Sequence, residues 1–405
     1  MAAMRFPIPL FNVPLLALLI AATPPPLQGE REGVATLAPD AEGRWVAFDL
    51  TPGNQIRFTL TLDERPVTAI LDTGVSYSVL ARKSAAVDPA RVTANGSATA
   101  IGGGAGGAVT IGWQPTRRLT IGGLTRTGGG VTVADLPALA TGSARAVDML
   151  VGRDVTGGQA LDIDYANRRF RLIPSGRLPF TGALAPLTIA AGRRVYESSA
   201  SIGGRRVAPM IVDTGDGSAI TLSQAAARLA RVDALPTTTT ISFGLAGETV
   251  STLAILPAVT LGQQVVRNVE ARVEPEGGFS ETIGVAGRIG SGLLQNYRVL
   301  LDPAAGRMVL KPGPDAGAAP LRSTSGLLVG LERDRLKVLH VMRGGPAAAA
   351  GWQAGETICR IDGQAVTRDY PATPLAKWAI GAPGTTVALG MCDGTGRTLT
   401  LARFY

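Results

Sequence analysis

Two acids at matching turns carry the chemistry this sequence has to offer. Asp72 closes the apolar run Ala69-Ile-Leu and is followed by Thr73 and Gly74; Asp213 closes Met210-Ile-Val and is followed by Thr214 and Gly215. Each stretch reads as a strand, a tight turn and a second strand, with a carboxylate at the turn. An acid directly after three apolar residues is expensive to hold unless it is hydrogen-bonded or has a chemical task. If the two acids meet, carboxylates about 3 Å apart cannot both ionise and hold one proton between them. Such a pair is base and acid at once. The ionised member takes a proton from water, the water attacks a carbonyl carbon, and the protonated member assists first the carbonyl oxygen and then the leaving group. No metal and no cofactor is needed.

Other chemistries lack their parts. The chain has one histidine, His340, inside the apolar run Leu336–Met342, and two cysteines, Cys359 and Cys392. A histidine-containing metal cluster, a Ser-His-Asp triad and a Cys-His pair are all hard to build from that inventory. His340 reads as a strand residue. The two cysteines keep two readings, a disulfide in an oxidising compartment or a pair of buried thiols.

The elements that must position the acids occur twice. Residues 151–172 align without a gap on 289–310 at the offset between Gly152 and Gly290, placing Leu161 on Val299, Asp164 on Asp302 and Arg169 on Arg307. Residues 119–133 lie over 259–273. Glycine-bearing hairpin tips, Gly102-Gly103-Gly104 and Gly244 to Gly247, follow their aspartates at the same interval, from Asp72 to Gly103 and from Asp213 to Gly244. The chain therefore carries an internal duplication of about 140 residues, long enough for each copy to be a lobe.

Composition agrees with a mostly β chain of 405 residues. Aromatics make up 5% and glycines number 52, while Val, Ile, Leu and Thr alternate with turn residues. The net charge of +8 is spread over scattered arginine pairs such as Arg117-Arg118 and Arg205-Arg206. Without a basic run interleaved with aromatics it reads as solvated turns, not as a nucleic-acid stripe. Residues 1–28 hold one early cation, Arg5, and an apolar stretch of about 15 residues, shorter than a membrane span needs. They are expected to be a signal peptide or an uncleaved N-terminal anchor, which makes the body exported, periplasmic or extracytoplasmic. Residues 29–44 read as a tether, 45–179 as the first lobe, 180–311 as the second and 312–320 as a linker.

Residues 321–405 are a different module. Gly326-Leu327-Leu328-Val329, the Pro-Ala-rich segment 344–351, and Gly355-Glu-Thr-Ile-Cys-Arg-Ile-Asp-Gly363 occur in the order that resembles a PDZ domain. The resemblance implies capture of an extended peptide as an added strand, its C-terminal carboxylate held by N–H groups of the 326–329 loop.

The duplicated part, about 45–311, resembles the pepsin and retropepsin-like aspartic proteases. The features that carry the likeness are apolar-apolar-Asp-Thr-Gly at 70–74 and 211–215, the flap-like hairpins, and the segments Leu150-Val151-Gly152 and Arg288-Ile289-Gly290. The likeness implies two pseudo-twofold-related β lobes with Asp72 and Asp213 as the catalytic dyad. It implies that Thr73 and Thr214 bond across the seam and that Gly74 and Gly215 let their N–H groups reach the carboxylates. The expected activity is that of a monomeric aspartic endopeptidase cleaving peptide or protein substrates, with the PDZ-like domain docking substrate tails or partners. The alternative is a protease-like binding protein that no longer cuts and acts through the 326–329 loop. Two departures bear on the choice. Asp216 stands where the family usually has alanine or serine, and is expected to face solvent as part of the turn. Arg288 stands where an apolar residue is expected, leaving Val285-Ala286-Gly287 as a competing register.

Overall fold

The computed structural model describes residues 33–99, 108–138 and 147–405. Strands dominate, as the alternation predicts. In the first lobe the hairpin Ile56–Leu62 and Arg65–Leu71 buries one face of each strand, its inward residues Phe58, Leu60, Val67 and Ala69 belonging to the main core. Arg65–Leu71 then pairs in parallel with Met149–Val151, which pairs antiparallel with Val79–Ala81. The parallel pairing sets Leu71 beside Val151, so the chain reaches Asp72 and Gly152 side by side at the sheet's end.

The second lobe repeats this plan. Arg205–Asp213 runs parallel to Gly287–Gly290, with Asp213 opposite Gly290, and Gly287–Gly290 pairs with Ile220–Leu222. That pairing decides the register. Arg288-Ile289-Gly290 is the counterpart of Leu150-Val151-Gly152, and Val285-Ala286-Gly287 is not.

A third sheet joins the lobes. Ala160–Asp164 of the first lobe pairs antiparallel with Tyr297–Asp302 of the second, Asp162 lying opposite Leu300, Leu161 opposite Leu301 and Ile163 opposite Val299. Under the sequence offset Leu161 maps onto Val299 and Ile163 onto Leu301, so the register maps onto itself. The duplication is thus a spatial pseudo-twofold, and one continuous core runs through both lobes.

The N-terminal tether differs from expectation over its described part. Val34–Leu37 is a strand paired with Leu124–Thr127, and Ala41–Gly43 forms a short 3-10 turn with Ala41 buried. Alternating Val-Ala-Thr-Leu gives the segment enough β character to complete an open sheet edge.

Residues 327–400 fold around a separate core that includes Leu336, Trp352, Ile358, Trp378 and Leu389. Their sheet runs Leu327–Glu332, Arg335–Val341, Thr357–Ile361, Thr386–Met391, Gly396–Thr400. Cys359 and Cys392 form a disulfide, which decides between the two readings the sequence allowed. Among the described residues no helix is long and apolar enough to cross a membrane.

Candidate active site

Asp72 and Asp213 meet where the two lobes join. Both are buried, at 9% and 3% exposure, and the Asp213 carboxylate stands close enough to act on the charge of Asp72. Each acid is held by the turn that follows it. Gly74 N–H donates to Asp72 Oδ1 at 3.0 Å, and Gly215 N–H donates to Asp213 Oδ1 at 2.9 Å. The glycines are required by close approach. A Cβ on Gly74 would lie 2.4 Å from Asp213 Cγ, and one on Gly215 would lie 2.3 Å from Asp72 Cγ.

The threonines cross the seam. Thr73 N–H donates to Thr214 Oγ1 at 3.1 Å, and Thr214 N–H donates to Thr73 Oγ1 at 3.0 Å. Each hydroxyl then donates to the other lobe's backbone, Thr73 to Val212 O and Thr214 to Leu71 O, both at 2.7 Å. Four buried bonds tie the strands that end in the acids, so neither carboxyl can drift without the other. Thr73→Val keeps the shape and leaves the Thr214 N–H and the Val212 carbonyl buried without partners. It is expected to cost about 2–4 kcal/mol, read as a lower urea midpoint at unchanged m-value.

Charge around the pair is asymmetric. Burial first, and the neighbouring Asp213 carboxylate next, push Asp72 well above the usual carboxylate range. Burial and then Asp216 push Asp213 up to about 6, with Arg288 pulling the other way. Asp216 does not face solvent, contrary to expectation. Its carboxylate accepts from Ser218 N at 2.9 Å, Ser218 Oγ at 2.7 Å, Thr221 Oγ1 at 2.9 Å and Arg288 Nε at 2.7 Å. Although burial works against the charge, Arg288 holds Asp216 well below the ordinary range. An isolated acid would not turn inward; one with a guanidinium waiting does.

The elevated pair makes stability depend on pH. Asp213 keeps its proton in the folded state at a pH where the unfolded chain has released it. The stabilisation is full below about pH 4 and is lost as pH rises through about 6, on the order of 3 kcal/mol for a shift of this size. Thermal unfolding of the wild type should therefore decline between pH 4 and 7 relative to Asp213→Asn, which has no such proton to lose. Equal slopes for the two proteins would refute the assignment.

The second lobe's hairpin reaches across to the first lobe. Thr237–Gly244 and Gly247–Leu261 form one hairpin with Leu245 at its tip, and Leu245 packs against the first-lobe cluster of Ile70, Val79, Ala134, Val147 and Leu150. Gly244 and Gly247 thus sit at the tip of a strap that crosses to the first lobe. The first lobe's glycines Gly102, Gly103 and Gly104 lie outside the described residues. The strap's base is gripped by the C-terminal domain. Arg343 N–H donates to Thr239 Oγ1 at 3.1 Å, Thr238 Oγ1 donates to Arg343 O at 2.8 Å, and His340 Nε2 lies 2.8 Å from Thr239 Oγ1. Leu328, Met342, Phe404 and Tyr405 pack there against Leu253 and Ile255.

Sequence reading missed several supports of the turns. Gln55 Nε2 donates to Gly215 O at 2.8 Å and Asn54 Nδ2 to Gly217 O at 3.0 Å, both across the seam, while Ser291 Oγ donates to Thr214 O at 2.8 Å. The Asn54-Gln55 pair sits in an ordinary turn, and nothing in its local sequence marks it.

The sequence of these two lobes has a match among known families. An aspartyl protease family model matches the chain twice, over residues 58–155 and 198–291. Both lobes are aspartyl-protease-like. The two matched stretches each contain one Asp-Thr-Gly turn and its Gly152 or Gly290 partner strand, which are the parts the structure brings together. No curated protein matches the chain at a significant level.

In the aspartyl-protease-like frame the 326–329 loop is the less complete site. Gly326 adopts a positive φ of 75°, and Leu327 is buried in the C-terminal core while Val329 packs against it. The N–H of Gly326 already donates to Ser323 Oγ and that of Leu327 to Ser325 Oγ, both at 3.0 Å. A peptide carboxylate would have to displace these hydroxyls. Leu328 points instead into the contact with the second lobe.

Proposed function

We propose that this chain is a single-chain aspartic endopeptidase in which Asp72 and Asp213 share a proton and activate water against a peptide carbonyl. The observation that carries the reading is the symmetric seam: two buried acids brought together across it, each cradled by its Asp-Thr-Gly turn and locked by the exchanged threonines. The family match over both lobes supports protease chemistry in general. In this reading the ionised acid accepts a proton from water held between the carboxyls, and the protonated acid donates to the carbonyl oxygen and then to the departing amine. The Leu245 strap covers the substrate and excludes bulk water.

The C-terminal domain is, in this proposal, a PDZ-like docking module. Leu327–Glu332 is the end strand of its sheet, bonded on one side to Arg335–Val341, so an extended tail could pair along the other side. The disulfide supports an exported chain working in an oxidising compartment. The binding-protein alternative drew on Asp216 and on the unusual Arg288 segment; Asp216 does raise Asp213, and Arg288, paired with Asp216, pulls Asp213 the other way.

The test is hydrolysis of an unbiased peptide library between about pH 4 and 8, with and without a pepstatin-type inhibitor. Cleavage blocked by the inhibitor is expected; no cleavage at any pH by correctly folded protein would end the proposal.

A further inference from the structure

Asp213 has a neighbour that Asp72 does not have among the described residues. Arg288 rises from the strand Gly287–Gly290 with its Nε bonded to Asp216 at 2.7 Å and its Nη1 bonded to Glu274 Oε1 at 2.7 Å and Ser280 Oγ at 3.1 Å. Its Nε lies 3.8 Å from Asp213 Oδ2. Arg288 and Glu274 side chains are 5% and 6% exposed, so the charges interact with little screening by water.

The duplication supplies an internal control. Leu150 pairs with Ile70 where Arg288 pairs with Ile211, and Val75 follows the first Asp-Thr-Gly where Asp216 follows the second. Leu150 and Val75 pack in one apolar cluster with Ile70 and Val79. The fold therefore asks only for two apolar side chains at these places, and the second lobe has replaced both with a buried ion pair. Buried ion pairs are seldom more stable than the apolar residues they replace. Stability alone does not account for the exchange, whereas proximity to one acid of the pair does. The first lobe has its own buried pair, Arg126–Asp154 at 3.0 Å, but that pair braces Ser78 and is not among the main influences on Asp72.

We propose that Arg288 is a positioning residue for this chemistry: a tethered cation that keeps Asp213 the ionised member of the pair and leaves the shared proton on Asp72. The inference rests on the peptidase reading for its role in turnover, though not for the charge assignment. A free guanidinium beside Asp213 would close to a bidentate ion pair and take the carboxylate from water. Asp216 and Glu274 occupy Nε and Nη1 and hold the cation back, so Asp213 gains attraction without capture. The attraction is needed because burial and Asp216 in the turn both favour a neutral Asp213. Behind Arg288 stand Glu274 and, on the strand Gln264–Val273, Arg272, which acts on Asp216. Asp213 then accepts the proton of the attacking water, and Asp72 donates to the carbonyl oxygen.

The experiment follows the aspartate carboxyl carbons by NMR in the full chain, alongside the pH profile of kcat/KM on a cleaved peptide. In Arg288→Leu the Asp213 midpoint should move up by about one pH unit or more, and the acid limb of the profile should move with it. Asp216→Val combined with Arg288→Leu restores the first lobe's apolar pair; it should fold and return the midpoint to the wild-type position or below. If Arg288→Leu alone does not fold, Asp216→Asn serves in its place and should move the Asp213 midpoint down. An Asp213 midpoint unmoved in Arg288→Leu, a double variant that keeps the single variant's shift, or an unmoved midpoint in Asp216→Asn would each overturn the proposal. Midpoints that move as described in a protein that cleaves no peptide would overturn the peptidase reading alone.

Discussion

Asp72→Asn is expected to yield a folded protein whose peptidase rate is lower by about 10⁴-fold or more, and Asp213→Asn should do the same. Asparagine keeps the Oδ1 acceptor that Gly74 N–H bonds in the first case and Gly215 N–H in the second, so each turn survives. What is lost is a transferable proton. With an amide in place of either acid the pair has no state in which one member is base and the other acid, and both roles are needed in one turnover. Because the acids act as a unit, the double variant should be scarcely worse than either single one. Turnover that persists in either single variant, measured on protein with a native circular dichroism spectrum, would remove the dyad from the mechanism.

Gly215→Ala should be nearly as damaging by a steric route. The new methyl would lie 2.3 Å from Asp72 Cγ, far inside ordinary contact, and Asp72 has little freedom to yield because its own turn and the threonine bonds fix it. Relief requires a displacement of about 1 Å between the carboxyls, which by itself costs about 100-fold in rate, with about 1–3 kcal/mol lost to overpacking. Gly74→Ala, aimed at Asp213, should behave alike. Alanine at Gly43, where a Cβ meets nothing within 4 Å, is the matched control and should be silent in both rate and unfolding. Equal effects at Gly43 and Gly215 would show that crowding of the carboxyls is not the cause.

Much of the site was legible because it is local and repeated. An acid, a threonine and a glycine after an apolar strand define one turn, and the second copy fixed which turn mattered. The strand that partners the first turn was legible too, in Leu150-Val151-Gly152. The register in the second lobe stayed open on sequence grounds, because Arg288 broke the apolar pattern. Its pairing with Asp216 spans 72 residues, and no local pattern joins an acid to a guanidinium that far away. The same reason hid Gln55 and Asn54, whose partners Gly215 and Gly217 lie in the other lobe.

The amino-acid sequence by itself determined the mostly β composition, the duplication, the two Asp-Thr-Gly turns and the separate character of residues 321–405, because each is written in spacing along the chain. Only the tertiary structure decided that Asp216 turns inward, that Arg288 stands 3.8 Å from Asp213, and that the C-terminal domain grips the second lobe's hairpin. Those facts depend on which side chains become neighbours once water is excluded. Burial makes an unpaired charge costly and a paired one tolerable, and the partner is chosen by packing rather than by position in the chain.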